Sequence, residues 1–520
     1  MNYLRIPEME DYEQMALPLY FNKSYEPAGS VNIDRDTIID LRDTKMTCVS
    51  NKILAMQPET AAWSFLSEAE ATLLNNFSSV PFQFGTMIDN NGNSSELLSG
   101  FMEKLYRRGL VRLNNYSSTD STVFNDSPNN FDGNLVELLL TEKCNLNCGY
   151  CLAGTNPNMP SMEESIAFKT IDKAFLMSEA KSITFEFSGG EPLMRFELLQ
   201  RITAYIREHP LKGNRKVYIG AQTNATLLTE TKVKWLKEND LFIGVSIDGN
   251  PETHNLSRPT VTGRESFTKV IRGILLLQQH AVPFGILVVL NSTNAASPDA
   301  LIDFLLKYNL PVLKLNPIAF LGTAQSNWNK FGITNDEITA YFKKFSSLIV
   351  ERGVNIVEDN LRTMMVYMMS KQRFNRCMRT HCGAGETFQA INAKGDIFPC
   401  GRSTQSPGLK IGNVADDEIT SLSQAGLKNQ FIQEIKARRP RDLEDCKSCF
   451  YQQLCQSGCA VQSYEKYGTV RHKTPECSFY KTMYPYLMHW LTFDDKARSH
   501  FNQTGYFNSG IESFSYNYLN

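Results

Sequence analysis

Cys144-Asn145-Leu146-Asn147-Cys148-Gly149-Tyr150-Cys151 sets three thiols at the spacing C-x3-C-x2-C. Three thiolates on so tight a loop can bind three irons of a [4Fe-4S] cluster and leave the fourth iron open, whereas electron-transfer ferredoxins supply four cysteines. A structural zinc knuckle is the alternative, but zinc prefers four closed ligands and no fourth Cys or His lies nearby in the sequence. The loop's surroundings decide the fold. Val136 to Leu140, just before it, reads as a strand, and the same kind of apolar run returns at Ile183 to Phe187, Val217 to Gln222, Ile243 to Ile247, Gly285 to Val289 and Leu313 to Asn316. Helical patterns separate them at Glu163 to Ser178, Glu197 to Glu208, Glu230 to Glu238, Glu265 to Gln279 and Asp299 to Lys307. Six βα units with strands buried on both faces predict an α/β fold, a parallel sheet curled into a partial (β/α)6 barrel. The active site is then expected at the carboxyl ends of the strands, where the cysteine loop lies.

The whole chain has 520 residues, enough for about three domains. Hydrophobic residues make up 42%, charged residues 21%, and the net charge is -2, which excludes a disordered chain and binding to nucleic acid by bulk positive charge. The amino terminus lacks a basic segment followed by an apolar run, and Gly273 to Leu290 is interrupted by Gln278, Gln279, His280 and Pro283, so neither a secretory signal nor a membrane span is expected. That stretch reads as a buried helix followed by a buried strand. In the cytoplasm this implies, close-spaced cysteines are read as metal ligands or redox groups. Their distribution is uneven: Cys48 alone, three in the loop, none from 152 to 376, and eight between 377 and 477.

Residues 1–113 predict a small α+β, winged-helix-like unit. Trp63 to Leu66 reads as a strand, Ser67 to Glu70 as a capping box opening a helix with Leu73, Leu74 and Phe77, and Leu97 to Tyr106 as a second helix closed by Gly109. Leu110 to Leu113 reads as a strand, and 114–134, rich in Asn, Ser, Asp and Thr, as a linker. A helical bridge is expected around Thr334 to Met369. The region after it has short strands and too few apolar periods for a large core, a deficit that bound metal offsets. Cys48 is expected as a buried thiol, and Tyr480 to Asn520 as a packing helix with a loose tail.

The three-cysteine loop resembles that of the radical S-adenosylmethionine (radical SAM) superfamily. Ser188-Gly189-Gly190-Glu191-Pro192 after the second strand is similar to the family's GGEP motif, and Thr223 and Asn224 follow the third strand where members contact the ribose. Ser246-Ile247-Asp248-Gly249 follows the fourth strand, with Arg258 twelve residues beyond Ser246, similar to the pair that holds the methionine carboxylate. Tyr150 occupies the aromatic position before the third cysteine. The resemblance implies that Cys144, Cys148 and Cys151 hold a [4Fe-4S] cluster and that S-adenosyl-L-methionine chelates its open iron. It also implies a backbone approach to that ligand at Gly189 and Gly190, with Ser188, Glu191 and Asp248 among the contacts. The implied chemistry is reductive cleavage to methionine and a 5′-deoxyadenosyl radical, which abstracts a substrate hydrogen.

The distal cysteines run Cys377-x4-Cys382, Gly395-x4-Cys400, Cys446-x2-Cys449-x5-Cys455-x3-Cys459, then Cys477. Eight thiolates suffice for two sites of four; C-x2-C spacing alone also permits structural zinc. The run resembles the SPASM extension of radical SAM enzymes that modify peptides and proteins. By that resemblance Cys377, Cys382, Cys400 and Cys459 hold one auxiliary [4Fe-4S] cluster, and Cys446, Cys449, Cys455 and Cys477 another. The expected organisation is a barrel at 135–330, a bridge at 331–376, the SPASM extension at 377–480 and a carboxyl-terminal helix and tail at 481–520.

Two enzyme readings follow. Anaerobic sulfatase-maturating enzymes usually carry an Asp immediately after the cysteine equivalent to Cys400, placed as a base. Here that position is Gly401, followed by Arg402, and no obvious carboxylate replaces it. The other branch, maturases of ribosomally made peptides, which Ser246 to Pro259 and Cys382 to Gly385 resemble in the His-Xaa-Ser type, often has an amino-terminal unit that captures a leader peptide as an added strand. The unit here serves that purpose or caps the barrel. The expected activity is oxidative crosslinking or side-chain modification of a precursor peptide, with an electron donor such as flavodoxin or ferredoxin; formylglycine formation and a non-catalytic iron-sulfur scaffold are the alternatives. Glu186, Glu191, Arg258, Arg402, Glu386 and Tyr218 are open candidates for catalytic roles.

Overall fold

The structure is a computed structural model that describes residues 31–118, 133–177, 180–369, 375, 377–378, 382–504 and 506. The amino-terminal unit holds β1 (Ile38–Asp40), β2 (Lys45–Val49), β3 (Lys52–Gln57), β4 (Ala62–Leu66), β5 (Phe82–Gln83), β6 (Arg112–Leu113) and β7 (Tyr116–Ser117). β2, β3 and β4 form an antiparallel meander. The helix Glu68–Phe77 follows, opened by both halves of a capping box between Ser67 and Glu70. The helix Ser95–Arg107 buries Leu98, Phe101, Met102 and Leu105. The strand expected from Leu110 shortens to Arg112–Leu113, because Asn114 and Asn115 both take positive φ and turn the chain into β7. The first residues of the expected linker therefore belong to this unit; 119–132 lie outside the described residues, as do 1–30. Cys48 is exposed rather than buried, since it sits on the outer strand of the meander with its side chain away from the core.

The barrel strands are β8 (Gly133–Thr141), β9 (Ser182–Gly189), β10 (Lys216–Thr223), β11 (Leu241–Ser246), β12 (Phe284–Leu290) and β13 (Val312–Pro317), all parallel to their neighbours. Val136, Leu138, Leu140, Phe185, Phe187, Ile219, Ile243, Val245, Ile286 and Leu315 are buried in one continuous core. The bridge is two helices, Asn335–Arg352 and Asp359–Met369. Gly353 stops the first with a left-handed residue, φ 63°, and β14 (Val357–Glu358) then adds a seventh parallel strand beside β13.

At the other edge, β15 (Phe388–Ile391) pairs parallel with β8, and β16 (Asp396–Phe398) and β17 (Gly412–Asn413) continue antiparallel. The cysteine-rich extension thus continues the barrel sheet, and its hairpin covers the edge that β8 would otherwise expose. The helices Cys477–Phe493 and Asp495–Gln503 close the chain. Tyr506, in the expected loose tail, is fully buried and donates to the Ile356 carbonyl at 3.0 Å. The amino-terminal unit docks against the helices Asp359–Met369 and Cys477–Phe493: Trp63 Nε1 donates to the Met368 carbonyl at 2.9 Å, and the Phe65 ring lies 5.1 Å from that of Phe493. Among the described residues no helix is long and apolar enough to cross a membrane.

Candidate active site

The three-cysteine loop leaves the end of β8 and is held by backbone from elsewhere. Asn147 N donates to the Pro259 carbonyl at 2.8 Å, and Thr323 N to that of Cys151 at 3.0 Å. Gly190 N donates to the Thr141 carbonyl at 2.7 Å and Glu191 N to that of Lys143 at 2.9 Å. A Cβ on Gly190 would stand 3.1 Å from Cys144 N and closer still to the Lys143 carbonyl, while Gly189 has φ +116°. The two glycines therefore admit the backbone of 141–144, a close approach in addition to the ligand approach expected from the sequence.

A cavity of about 440 Å3 opens at the carboxyl ends of the barrel strands, and the thiol loop lines one end of it. Of the ten residues expected around the cofactor, Tyr150, Ser188, Gly189, Gly190, Thr223, Asn224, Ser246 and Arg258 line this cavity. Glu191 and Asp248 stand behind it. Fully buried, Glu191 accepts from Thr223 Oγ1 at 2.7 Å, Asn224 N at 2.8 Å and Leu193 N at 3.0 Å, tying the end of β9 to that of β10. Burial pushes its pKa up, against those hydrogen bonds. Asp248 accepts from Arg258 Nη2 and from Val289 N, each at 3.0 Å, and from the Tyr150 hydroxyl. Burial alone would favour a neutral Arg258, but the Asp248 carboxylate holds it charged. Asn224 Nδ2 donates to Asn145 Oδ1 at 2.9 Å, and Ser246 Oγ accepts from Gln222 Nε2 at 2.8 Å.

The thiols sort into three groups by which of them act on one another. Burial raises Cys144 to about 12 and Cys148 further, and the neighbouring Cys151 thiol adds to both shifts. Cys382 hydrogen-bonds Cys377 and feels Cys459 and Cys400, and burial pushes Cys400 up to about 12. Cys446, Cys449 and Cys455, each shifted upward mainly by burial and then by neighbouring thiols, Cys477 among them, form the third group with Cys477. Among the described residues no three Cys, His, Asp or Glu side chains converge on a point as the ligands of one ion, so mutual influence is what defines the groups.

Thiolates are the ligand form, and crowded, desolvated thiols cannot all ionise without positive charge among them. This donor chemistry fits iron-sulfur clusters. Arg402 stands beside Cys459, Cys377 and Cys400, and Arg438 feels thiols of both four-membered groups. Cys377, Cys400 and Cys459 line the same cavity as the first loop.

Further polar residues line the cavity, Arg402, Glu137 and Glu186 among them. Arg402 faces it with a buried Nη1 that has no hydrogen-bond partner. The sequence offered no carboxylate in place of a side chain at 401, but the structure has one: a Cβ on Gly401 would stand 2.8 Å from Glu137 Cδ. The signal was a single charge in the apolar strand Leu135-Val136-Glu137-Leu138-Leu139. Glu186 lines the cavity too, whereas Glu386 and Tyr218 do not, and Glu386 pairs with Lys436 at 2.8 Å.

The sequence profile of the radical SAM superfamily matches residues 138–305, and that of SPASM, an iron-sulfur cluster-binding domain, residues 382–450. The cysteine-type anaerobic sulfatase-maturating enzyme of Clostridium perfringens strain 13 is 26% identical over 359 residues, 66% of this chain and 93% of that protein. An uncharacterized protein of Methanocaldococcus jannaschii is 34% identical over 299 residues, 57% and 94% of the two chains. Native anSMEcpe with bound AdoMet and Cp18Cys peptide superposes with a TM-score of 0.59 at 21% identity, covering 69% of this chain and 99% of that one. Streptococcus suis SuiB bound to precursor peptide SuiA superposes at 0.52 and 16% identity, covering 86% and 99%. Both likenesses are of fold.

Proposed function

Since this chain belongs to the radical SAM superfamily and carries a SPASM domain, we propose that it is a maturase oxidising an unactivated C-H bond in a ribosomally made precursor peptide. The observation that carries this reading is the single cavity shared by the three-thiol loop and by Cys377, Cys400 and Cys459. Radical SAM and SPASM families bind S-adenosyl-L-methionine and [4Fe-4S] clusters. When bound, these groups supply a 5′-deoxyadenosyl radical for hydrogen abstraction and an acceptor for the electron left on the substrate.

The chain's own residues position and shield that chemistry. Cys144, Cys148 and Cys151 bind the first cluster. Arg258, held charged by Asp248, receives the methionine carboxylate together with Ser246, and Asn224 and Thr223 face the ribose. The two sets of four thiols bind auxiliary clusters, and a flavodoxin or ferredoxin supplies the reducing electron.

Fold coverage supports a precursor peptide: the likeness to SuiB takes in 86% of this chain, against 69% for anSMEcpe. The amino-terminal unit presents the outer strand β2, to which a leader can add main-chain hydrogen bonds. Formylglycine formation is the second reading, favoured by the 26% identical sulfatase-maturating relative. Anaerobic coexpression with a neighbouring short peptide, and separately with a cysteine-bearing sulfatase peptide, tests both by mass spectrometry. A mass change in the short peptide alone supports the first reading; a change in the sulfatase peptide alone overturns it.

A further inference from the structure

We propose that Glu137 is the group in the cavity that takes the substrate's proton, an assignment that rests on the maturase reading above. Glu137 lies on β8 in register with Glu186 of β9, and both line the cavity. Ser188 Oγ donates to Glu137 Oε1 at 2.6 Å. On its other side the carboxyl group fills the space against Gly401, where any larger residue would meet it. It is therefore held between Ser188, which leads into the glycines packed on the first thiol loop, and the residue after Cys400 of the neighbouring four-thiol set.

No Lys, Arg or His among the described residues ion-pairs with Glu137. The groups around it are Glu186 across the register, the Ser188 hydroxyl, and Cys400 and Arg402 flanking Gly401. Burial raises its pKa. Burial thus disfavours the ionised form, which makes that form a stronger base. A Gln would accept the Ser188 hydrogen bond equally well, but it cannot carry a proton.

The step balances as follows. The substrate carbon loses a hydrogen atom to the 5′-deoxyadenosyl radical, giving 5′-deoxyadenosine. The X-H bond of the adjacent heteroatom breaks, its proton passing to the Glu137 carboxylate. One electron passes to an oxidised iron-sulfur centre at the adjoining four-thiol set, and a C=X bond remains. Glu137 returns its proton to solvent.

The test compares wild-type holoprotein with E137Q and E137D. Thermal unfolding is followed from about pH 4 upward: because the folded protein favours the protonated acid, wild type loses stability relative to E137Q as pH rises above the ordinary carboxyl range. With a cysteine-containing peptide as probe, product formed per 5′-deoxyadenosine falls about 100-fold or more in E137Q, and E137D restores part of it with a shifted pH profile. Equal coupling and an unchanged pH profile in E137Q would overturn the assignment, as would identical pH dependence of unfolding. If wild type itself gives no 5′-deoxyadenosine with any peptide, the maturase reading fails, while the unfolding comparison still reports whether Glu137 exchanges a proton.

Discussion

Arg438→Met removes the cation that ties the cysteine-rich loops together. Arg438 is only 7% exposed and donates to the carbonyls of Val470 at 2.7 Å, Ser457 at 2.8 Å, His472 at 2.8 Å and Gly458 at 3.0 Å. Methionine fills much of the stem's volume but donates nothing, and buried carbonyls left without a partner cost about 1–3 kcal/mol each. Even with partial access for water, the four together amount to about 4 kcal/mol. That is a large fraction of the roughly 5–15 kcal/mol that holds a native protein together. The loss is local, because residues 457–458 separate Cys455 from Cys459 and residues 470–472 precede Cys477.

A chain with several packed parts does not unfold in two states, so iron content is the better readout than a single melting temperature. Three [4Fe-4S] clusters give about twelve irons per chain in wild type. We expect R438M to keep about four, those of the first loop, and R438K to fall between, since an ammonium has three donors against the five of a guanidinium. If R438M bound wild-type iron with unaltered cluster spectra, the argument that this arginine organises the loops would be refuted.

Three further outcomes follow from the site and the core. Asp248→Asn leaves Arg258 without its counter-charge, and the dissociation constant for S-adenosylmethionine should rise about tenfold by equilibrium dialysis, one hydrogen-bonded charge being worth that much; unchanged affinity would show that Asp248 does not set the arginine. Gly190→Ala forces a Cβ against the Lys143 carbonyl, and such overpacking costs about 1–3 kcal/mol; iron at the first loop should be lost faster to a chelator than in wild type. Glu358, fully buried, has its pKa raised by burial from 4.5 to about 7. The stability its protonated form contributes is complete below the unfolded value and is lost as pH rises toward 7, about 3 kcal/mol in all. E358Q should flatten that dependence between pH 4.5 and about 7, measured by thermal unfolding.

Much of this was legible in the chain. The barrel strands and helices announce themselves because each strand is buried on both faces and each helix carries an amphipathic period; Glu230–Glu238 falls where its pattern places it. The cysteine spacing marked one loop of three thiols and one distal run of eight, because ligands cluster on turns. Legibility ended where a residue's meaning depends on a distant partner. Gly401 read as a missing carboxylate, when it makes room for Glu137 from the first strand. The Gly189-Gly190 pair read as a seat for a ligand, and the structure adds that it admits the loop's own backbone. Glu191 and Asp248 read as cofactor contacts, and the structure adds that each organises residues that face the cavity. Cys48 read as a buried thiol because nothing local showed that its strand lies at the edge of a small sheet, and the edge pairing of β15 with β8 joins residues about 250 apart.

The central claim is that radical chemistry starts at the three-thiol loop and is served by two separate four-thiol sets. Cys148→Ala, reconstituted and reduced with S-adenosylmethionine present, tests it most directly. The account predicts about eight irons in place of about twelve and no 5′-deoxyadenosine or methionine. Continued cleavage of S-adenosylmethionine by that variant would contradict it.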